Sequence, residues 1–364
     1  MSEAPKFPPD LFPDPEAASR NVDRATSDRQ GQDRPEQDHP ALDRKERRLA
    51  IIQREAAAQL AKPQTPSLPV ASADVGYYGL PMLKQPTWTW EVPLYLFVGG
   101  AAGSAALIAT MARITGASPR LVRDARRISF AGSILSPALL IADLGRPARF
   151  AAMLRVFKPQ SPMSVGVWIL SGFGGATTAA RLGAMLRARG LLSTLAWLLE
   201  NAGDFGALLL GPPLASYTGV LIGATVIPAW NRNVTLLPVH FAASGVGAAT
   251  GMLELAGHSE PALQYLGLAA AAAETAAGAH IESRKDPKLA PLKRGGSGWL
   301  IRLGGLLSGP VPLALRVACL FAGRKRNNSL RKYAAASAVA GSLITRVAWV
   351  HAGSVSARES RPSD

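Results

Sequence analysis

Long apolar segments dominate the sequence after residue 90, and each is close to the length that crosses a lipid bilayer. We predict eight of them, at residues 91–114, 125–144, 163–184, 203–228, 236–256, 262–282, 298–322 and 331–352. About 20 apolar residues span the hydrocarbon core as a helix, which satisfies its own backbone hydrogen bonds there. The sequence therefore predicts an all-α integral membrane protein, a bundle of about eight transmembrane helices. Both ends of such a bundle lie on one side of the membrane, here named the N-terminal side.

The sequence before the bundle differs in composition. Residues 1–41 are rich in Pro, Asp, Arg and Gln and predict a disordered tail. Residues 42–62 have the periodicity of an amphipathic helix, and residues 63–86 hold five prolines, which is typical of an extended linker. We expect the transmembrane bundle to occupy residues 87–354 and a short C-terminal tail to follow at 355–364.

The charge distribution favours membrane lipids as partners and excludes nucleic acid. The chain has 364 residues and a net charge of +15, and the residues after 90 hold 28 of its 40 Lys and Arg but only 12 of its 25 Asp and Glu. These basic residues lie between apolar segments, whereas a nucleic-acid-binding protein carries them in a continuous polar stripe. Of the basic residues in the loops between spans, ten lie on the N-terminal side and thirteen on the opposite side. The positive-inside rule therefore assigns no clear orientation.

Cysteine content limits the metal chemistry of the protein. Cys319 is its single cysteine, so an internal disulfide is impossible. One thiol also cannot by itself hold an iron–sulfur cluster or a structural zinc ion. We predict no metal site and place any redox centre outside this chain.

The start of the first span combines a carboxylate with aromatic residues. Three aromatic side chains of the kind enriched at the headgroup level surround it: Trp88, Trp90 and Tyr95. Glycines and alanines at 99–103 predict close packing against another helix. Glu91, at the mouth of the span, either has a function or marks the N-terminus of the helix.

Most ionisable and polar aromatic residues fall in the half of the bundle nearest the N-terminal side. The depth of each residue follows from its distance to the end of its span, at about 1.5 Å per helical residue. By this measure, that half contains Glu91, Tyr95, Asp143, Tyr217, His240, Glu274, His280, Arg302 and Arg346. Such residues are costly in lipid unless they are paired or line a polar cavity. We therefore predict a polar cavity on this side, open to a hydrophobic substrate and to a proton path.

Three of these residues have alternative interpretations. Glu274 and Arg346 lie at similar depth and form either a structural pair or part of the proton path. Tyr217 follows a Pro-Pro pair that predicts a kink, where its hydroxyl either binds a quinone carbonyl or satisfies a freed backbone carbonyl. We also expect residues 191–201 to form a separate amphipathic helix before the fourth span.

A turn after the second span predicts a charged site. Asp143 ends this span, and the Gly-Arg-Pro turn that follows would hold Arg146 beside the carboxylate. We assign Asp143 to proton transfer and Arg146 to substrate binding. His240 and His280, which start one span and end the next, are either axial haem ligands or ordinary interfacial residues.

The sequence from about residue 77 to 358 resembles the NrfD/PsrC family of membrane subunits. The resemblance rests on four stretches: YYGLPMLKQPTWTWEVPLYLFVGGAAG, IADLGRPARF with SPMSVGVWIL after it, YTGVLIGATVIPAWN, and ITRVAWVHAG. It implies a bundle of about eight helices that exchanges electrons between membrane quinone and a ferredoxin-type iron–sulfur subunit. The family's complexes also contain a molybdopterin or multihaem catalytic subunit, and the membrane subunit binds no haem or iron–sulfur cluster.

Residue roles follow from this resemblance. Tyr217 resembles the quinone-binding tyrosine of the fourth span, and Tyr95 stands where some relatives have a quinone-binding histidine. A phenol accepts a proton less readily than imidazole at neutral pH. Proton transfer is therefore assigned to Glu91, Asp143 and Glu274.

The sequence predicts the quinone-binding anchor subunit of a respiratory oxidoreductase, located in the bacterial cytoplasmic membrane with multiple spans. One alternative is a proton- or ion-translocating subunit, in which the same carboxylates work without redox chemistry. The other is a haem-b cytochrome that uses His240 and His280.

Overall fold

The computed structural model describes Leu83 and residues 86–321 and 323–359. The predicted disordered tail and amphipathic helix lie outside the described residues, as does nearly all of the linker. Side-chain statements below refer to the described part of the chain.

The described residues are helical wherever they are regular. The helices are α1 (Glu91–Ile114), α2 (Pro119–Leu144), α3 (Pro147–Met153), α4 (Pro162–Ala188), α5 (Ser193–Gly223), α6 (Pro228–Asn231), α7 (Leu236–Leu255), α8 (Pro261–Ser283), a 3-10 turn (Pro287–Leu289), α9 (Ala290–Lys293), α10 (Gly295–Ser308), α11 (Pro310–Phe321) and α12 (Arg324–Glu359). The prediction of an all-α membrane protein is confirmed.

Each of the eight predicted spans corresponds to a long helix or, for the seventh, to a pair of helices. Six candidate spans are long and apolar enough to cross a membrane: α1, α2, α5, α7, the α10–α11 pair and α12. The other two, α4 and α8, have 27 and 23 residues and pack in the same bundle. The protein is therefore a multi-pass membrane protein.

The fourth span begins earlier than predicted. Helix α5 runs without interruption from Ser193 to Gly223 and includes both Pro212 and Pro213, so the prediction of a separate helix at 191–201 is wrong. The physical reason is that two acidic residues within this helix, Glu200 and Asp204, are buried against arginines of neighbouring helices. Because these two carboxylates are paired, the helix that contains them continues into the bundle without a break.

The small residues of α1 permit the close packing that the sequence predicted. A Cβ added to Gly103 would overlap the carbonyl oxygen of Gly211 on α5, and a Cβ on Gly211 would meet the carbonyl oxygen of Gly103. Backbone contact of this kind is the usual basis of helix association in lipid, where apolar surface alone gives little drive. It fixes α1 in the centre of the bundle, between α5 and α7.

Candidate functional site

Two phenol side chains from different helices meet in the half of the bundle nearest the N-terminal side. Tyr95 of α1 and Tyr217 of α5 are 3% and 5% exposed and lie close enough to interact electrostatically. The ring of Tyr217 rests directly on Gly166 of α4, where a Cβ would overlap it. The structure therefore brings the two predicted quinone-binding tyrosines together.

Glycine on α1 creates the space around these phenols. A Cβ on Gly99 would lie 3.6 Å from Ser136 Oγ of α2 and 3.9 Å from both Thr218 of α5 and the ring of Tyr95. Glu91, Tyr95 and Gly99 follow one another at intervals of four residues and so share one face of α1. We name this set the tyrosine cluster: Glu91, Tyr95, Gly99, Ser136, Gly166 and Tyr217.

Three polar atoms of the tyrosine cluster are buried without a hydrogen-bond partner among the described residues. They are Glu91 Oε2, Ser136 Oγ and Tyr217 Oη. Native structures contain few such atoms, because each costs roughly 1–3 kcal/mol when it is desolvated and unpaired. Their number in one small region is the pattern expected of a site that binds a polar molecule.

Asp143 lies beside the entrance to this cluster. Its Oδ1 accepts a hydrogen bond of 3.0 Å from Thr89, two residues before Glu91, so both predicted carboxylates are near the start of α1. Gly145 follows with a φ of 71°, which caps α2 and turns the chain. Arg146 comes next and is exposed.

Stacked tryptophans border the N-terminal side of the cluster. Trp88 stacks on Trp230 with ring centroids 4.9 Å apart, and Trp230 donates a 2.7 Å hydrogen bond to the carbonyl oxygen of Trp349 on α12. Trp90 is 58% exposed. Trp90 is thus free to lie at the headgroup level, which stays a prediction, whereas Tyr95 belongs to the interior.

A second polar cluster lies on the other face of α1 and contains the predicted proton carrier Glu274 of α8. Glu274 Oε2 accepts a 2.6 Å hydrogen bond from Ser308, at the end of α10. Its Oε1 lies 2.9 Å from Nδ1 of His240 on α7, at an angle outside hydrogen-bond geometry. Glu274 is 2% exposed, so a carboxylate and an imidazole face each other deep in the bundle.

Arg346 of α12 joins this second cluster without a direct ion pair. Its Nη2 donates a 2.8 Å hydrogen bond to the carbonyl oxygen of Phe241, and its guanidinium lies 4.1 Å from the centre of the Phe241 ring. Nε and Nη1 are buried without a partner in the described part of the chain. The Glu274–Arg346 salt bridge considered from the sequence is not formed among these residues, because Glu274 contacts Ser308 and His240 instead.

The two histidines considered as haem ligands have different environments. His240 is 4% exposed and faces Glu274, whereas His280 is exposed near the end of α8. The structure does not bring these two imidazoles together as an axial pair. Within the described residues there is also no group of three or more His, Cys, Asp or Glu side chains placed to hold a metal ion.

The sequence did not reveal Ser136, Gly166 or Ser308 as members of these clusters. Serine and glycine are frequent in membrane helices because small residues allow close packing. Their presence therefore does not indicate a functional site. One indirect sign was Pro137, which lies inside α2 directly after Ser136. A proline within a membrane helix frees a backbone carbonyl and tends to mark irregular, polar surroundings.

Comparison with known proteins places this geometry in a family. The family model for NrfD, polysulphide reductase, matches residues 80–258. This segment is therefore similar to the NrfD family. It contains α1 to α7 and hence the whole tyrosine cluster, while Glu274 and Arg346 lie beyond it.

A curated relative of this NrfD segment agrees with the assignment. One of the polysulfide reductase chains of Wolinella succinogenes is 26% identical over 177 residues, which cover 44% of the present sequence and 55% of that protein. The present protein therefore spans about half the length of the curated relative it matches.

Proposed function

We propose that this protein is the quinone-reactive membrane subunit of a respiratory oxidoreductase complex. Quinol binds at the tyrosine cluster, where it loses two protons and two electrons. The observation that carries the proposal is the set of unpaired buried atoms Glu91 Oε2, Ser136 Oγ and Tyr217 Oη, contributed by three helices to one region. The match of residues 80–258 to the NrfD family model supports it.

The side chains of the cluster have the chemistry that the reaction requires. Tyr95 and Tyr217 carry hydroxyl groups that can donate hydrogen bonds to the two quinone oxygens. Carboxylates accept the protons released when quinol becomes quinone, and Glu91 and Asp143 lie at the entrance on the N-terminal side. The exposed Arg146 attracts an anionic form of the substrate to this entrance.

Glu274 and His240 form the second part of the proposed proton path. The carboxylate and the imidazole are 2.9 Å apart and reach α1 from its other face. Arg346 connects the two regions, since its Nη2 would lie 3.5 Å from a Cβ on Gly100, next to Gly99 of the tyrosine cluster. A change in the position of Arg346 would therefore alter how strongly Glu274 holds a proton.

The electrons leave for a docked partner. We propose a ferredoxin-type iron–sulfur subunit as the immediate acceptor and a molybdopterin or multihaem subunit as the terminal catalyst, in the bacterial cytoplasmic membrane. The likeness to a subunit of polysulfide reductase supports a complex of this class. The two electrons pass one at a time, and the reverse flow would reduce quinone at the same site.

Purification from native membranes tests the proposal. The co-eluting subunits are identified by mass spectrometry, and quinol oxidation is measured on the same fraction for wild type, Tyr217→Phe and Asp143→Asn. We expect iron–sulfur and catalytic subunits in the fraction and a loss of turnover of about tenfold in each variant, as expected when one hydrogen bond or proton acceptor is removed. Tyr333→Phe is the matched control, because Tyr333 is 67% exposed on α12.

Three results would contradict the proposal. Wild-type turnover in both variants would contradict the assignment of the quinone site to these residues. A protein that elutes alone and is inert toward quinol would favour the ion-translocating class. A Soret band assigned to this subunit and reducible by dithionite would favour the cytochrome class.

A further inference from the structure

The side of the bundle opposite the tyrosine cluster contains a cavity rich in arginine. It has a volume of about 670 Å³, within the range of roughly 300–1,000 Å³ typical of ligand sites, and lies between the ends of α1 and α4 and the starts of α2 and α5. Its lining includes five arginines: Arg113, Arg123, Arg126, Arg181 and Arg187. The proposed quinone chemistry uses none of them.

Two buried carboxylates of α5 hold three of these arginines in place. Asp204 accepts hydrogen bonds from Arg113 and Arg126, and Glu200 accepts from Arg126 at 2.8 Å and from Arg187 at 2.9 Å. The side chains of Glu200 and Asp204 are only 1% and 7% exposed. The wall of the cavity is therefore preorganised, as a binding site for a charged group requires.

The remaining two arginines have no counter-ion. Arg123 and Arg181 make no hydrogen bond or ion pair with any residue that the structure describes, yet both line the cavity. Five arginines against the two carboxylates leave a charge of +3 around one space. An excess of positive charge in a partly enclosed space attracts an anion.

Apolar groups surround this charged space. Ala117, Val122, Ala184 and Met185 line the same cavity. Close by in the sequence, the start of α5 exposes a run of large apolar side chains: Leu192 at 64%, Leu195 at 45%, Trp197 at 57% and Leu198 at 54%. An exposed tryptophan near the end of a spanning helix is typical of the interface between headgroups and acyl chains.

We infer that this cavity binds the phosphate headgroup of an anionic membrane lipid, with the acyl chains lying along the exposed apolar start of α5. Arg123 and Arg181 contact the phosphate directly, and Arg113, Arg126 and Arg187 form the fixed positive wall behind it. Basic pockets between membrane helices recognise lipid headgroups in this way. The charge of +3 matches a headgroup with two phosphates better than one with a single phosphate.

Lipid binding by the purified full-length protein, alone or in its complex, tests this inference. The protein is delipidated, and native mass spectrometry measures its affinity for added cardiolipin, with phosphatidylcholine as the neutral lipid. The test variant is Arg123→Gln with Arg181→Gln. The control is Arg189→Gln with Arg326→Gln, which removes the same charge from exposed positions on the same side of the membrane, outside the lining of the cavity.

We expect cardiolipin to bind the wild type and the control with similar affinity. The test variant should bind it about thirtyfold more weakly, the loss expected for two arginines at a lipid surface, with its melting temperature and quinol turnover unchanged. Phosphatidylcholine should bind all three proteins equally weakly.

Several results would overturn the inference. An equal loss in the control would show only a general effect of surface charge. Displacement of cardiolipin by inorganic phosphate at millimolar concentration would identify a site for a free anion. Loss of a co-purifying acidic protein in the test variant, with lipid binding unchanged, would identify a surface for a protein partner.

Discussion

At the scale of single residues, the position of Tyr217 depends on the lack of a side chain at Gly166. Gly166 lies on α4 directly under the phenol ring, so the absence of a side chain there decides where the ring can lie. Gly175, nine residues later on the same helix, has open space around its Cα. The two glycines therefore form a natural comparison.

We expect Gly166→Ala to displace the Tyr217 ring and lower quinol turnover by at least tenfold, because the new methyl group occupies the position of the ring. Gly175→Ala should leave turnover unchanged and stabilise α4 slightly, since alanine favours a helix by up to about 1 kcal/mol over glycine. Quinol oxidation and thermal melting of both variants check this. Equal turnover in the two variants would contradict the assigned role of Gly166.

The sequence identified Tyr95 and Tyr217 but not their surroundings, for a physical reason. A phenol in a membrane helix is unusual and can be recognised by its type, whereas Ser136 and Gly166 become important only through the packing of α2 and α4 against other helices. No local pattern encodes such contacts. The sequence could not decide whether Glu274 and Arg346 form a direct salt bridge for the same reason, because depth along a helix does not say which face a residue occupies.

At the scale of helices, buried ion pairs connect elements that are far apart in the sequence. Arg316 of α11 is fully buried and binds Glu254 of α7 through two hydrogen bonds of 3.0 and 2.6 Å. Two more residues complete this group. Gln264 of α8 accepts a 3.2 Å hydrogen bond from Arg316, and Arg331 of α12 donates a 3.2 Å hydrogen bond to Glu254. One cluster thus joins four helices.

We expect Arg316→Met to destabilise the protein by about 3–5 kcal/mol, because it leaves the buried charge of Glu254 with only Arg331 as partner. Adding Glu254→Leu should recover most of this loss, since the charge that was left behind is removed. Unfolding of the purified protein in a denaturing detergent measures both values. If the double variant loses as much stability as the two single changes added together, the ion pair does not couple these helices.

The break between α10 and α11 has a packing cause. A Cβ on Gly309 would approach the backbone nitrogen of Thr275 at 2.9 Å, so the backbone passes α8 closely here, next to the Ser308–Glu274 hydrogen bond. The sequence predicted a single span at 298–322, and Pro310 and Pro312 within it were only a weak sign of a break. Apolar length alone does not show where a neighbouring helix forces a break.

We expect Gly309→Ala to separate α8 from α10 and lower the melting temperature, and to reduce quinol turnover through Glu274. Gly305→Ala is the control, since a Cβ at Gly305 meets no atom within 4 Å. Melting curves and turnover of the two variants distinguish them. Identical behaviour would show that the close contact at Gly309 is not needed.

At the scale of the whole molecule, the two sides of the bundle differ in how their buried carboxylates are paired. On the opposite side, Glu200, Asp204 and Glu254 are buried against arginines. On the N-terminal side, Glu91 and Glu274 have no Lys or Arg within ion-pair distance among the described residues. The sequence predicted that most ionisable residues lie toward the N-terminal side, but it could not show which buried carboxylates are paired with arginine.

This asymmetry assigns different tasks to the two sides. The carboxylates paired with guanidinium groups contribute to the structure by joining neighbouring helices. We propose substrate chemistry for the N-terminal side and lipid recognition for the opposite side.

The central claim is that quinone binds at the tyrosine cluster, and photoaffinity labelling tests it most directly. The purified complex is illuminated with an azido-quinone, digested, and the labelled peptides of this subunit are mapped by mass spectrometry. We expect label in the first half of α1 and the last two turns of α5, competed by excess unlabelled quinone and reduced by Tyr217→Phe but not by Tyr333→Phe. Competed label elsewhere, such as in the apolar cavity of about 380 Å³ between Thr275 of α8 and Pro310 of α11, would contradict the account.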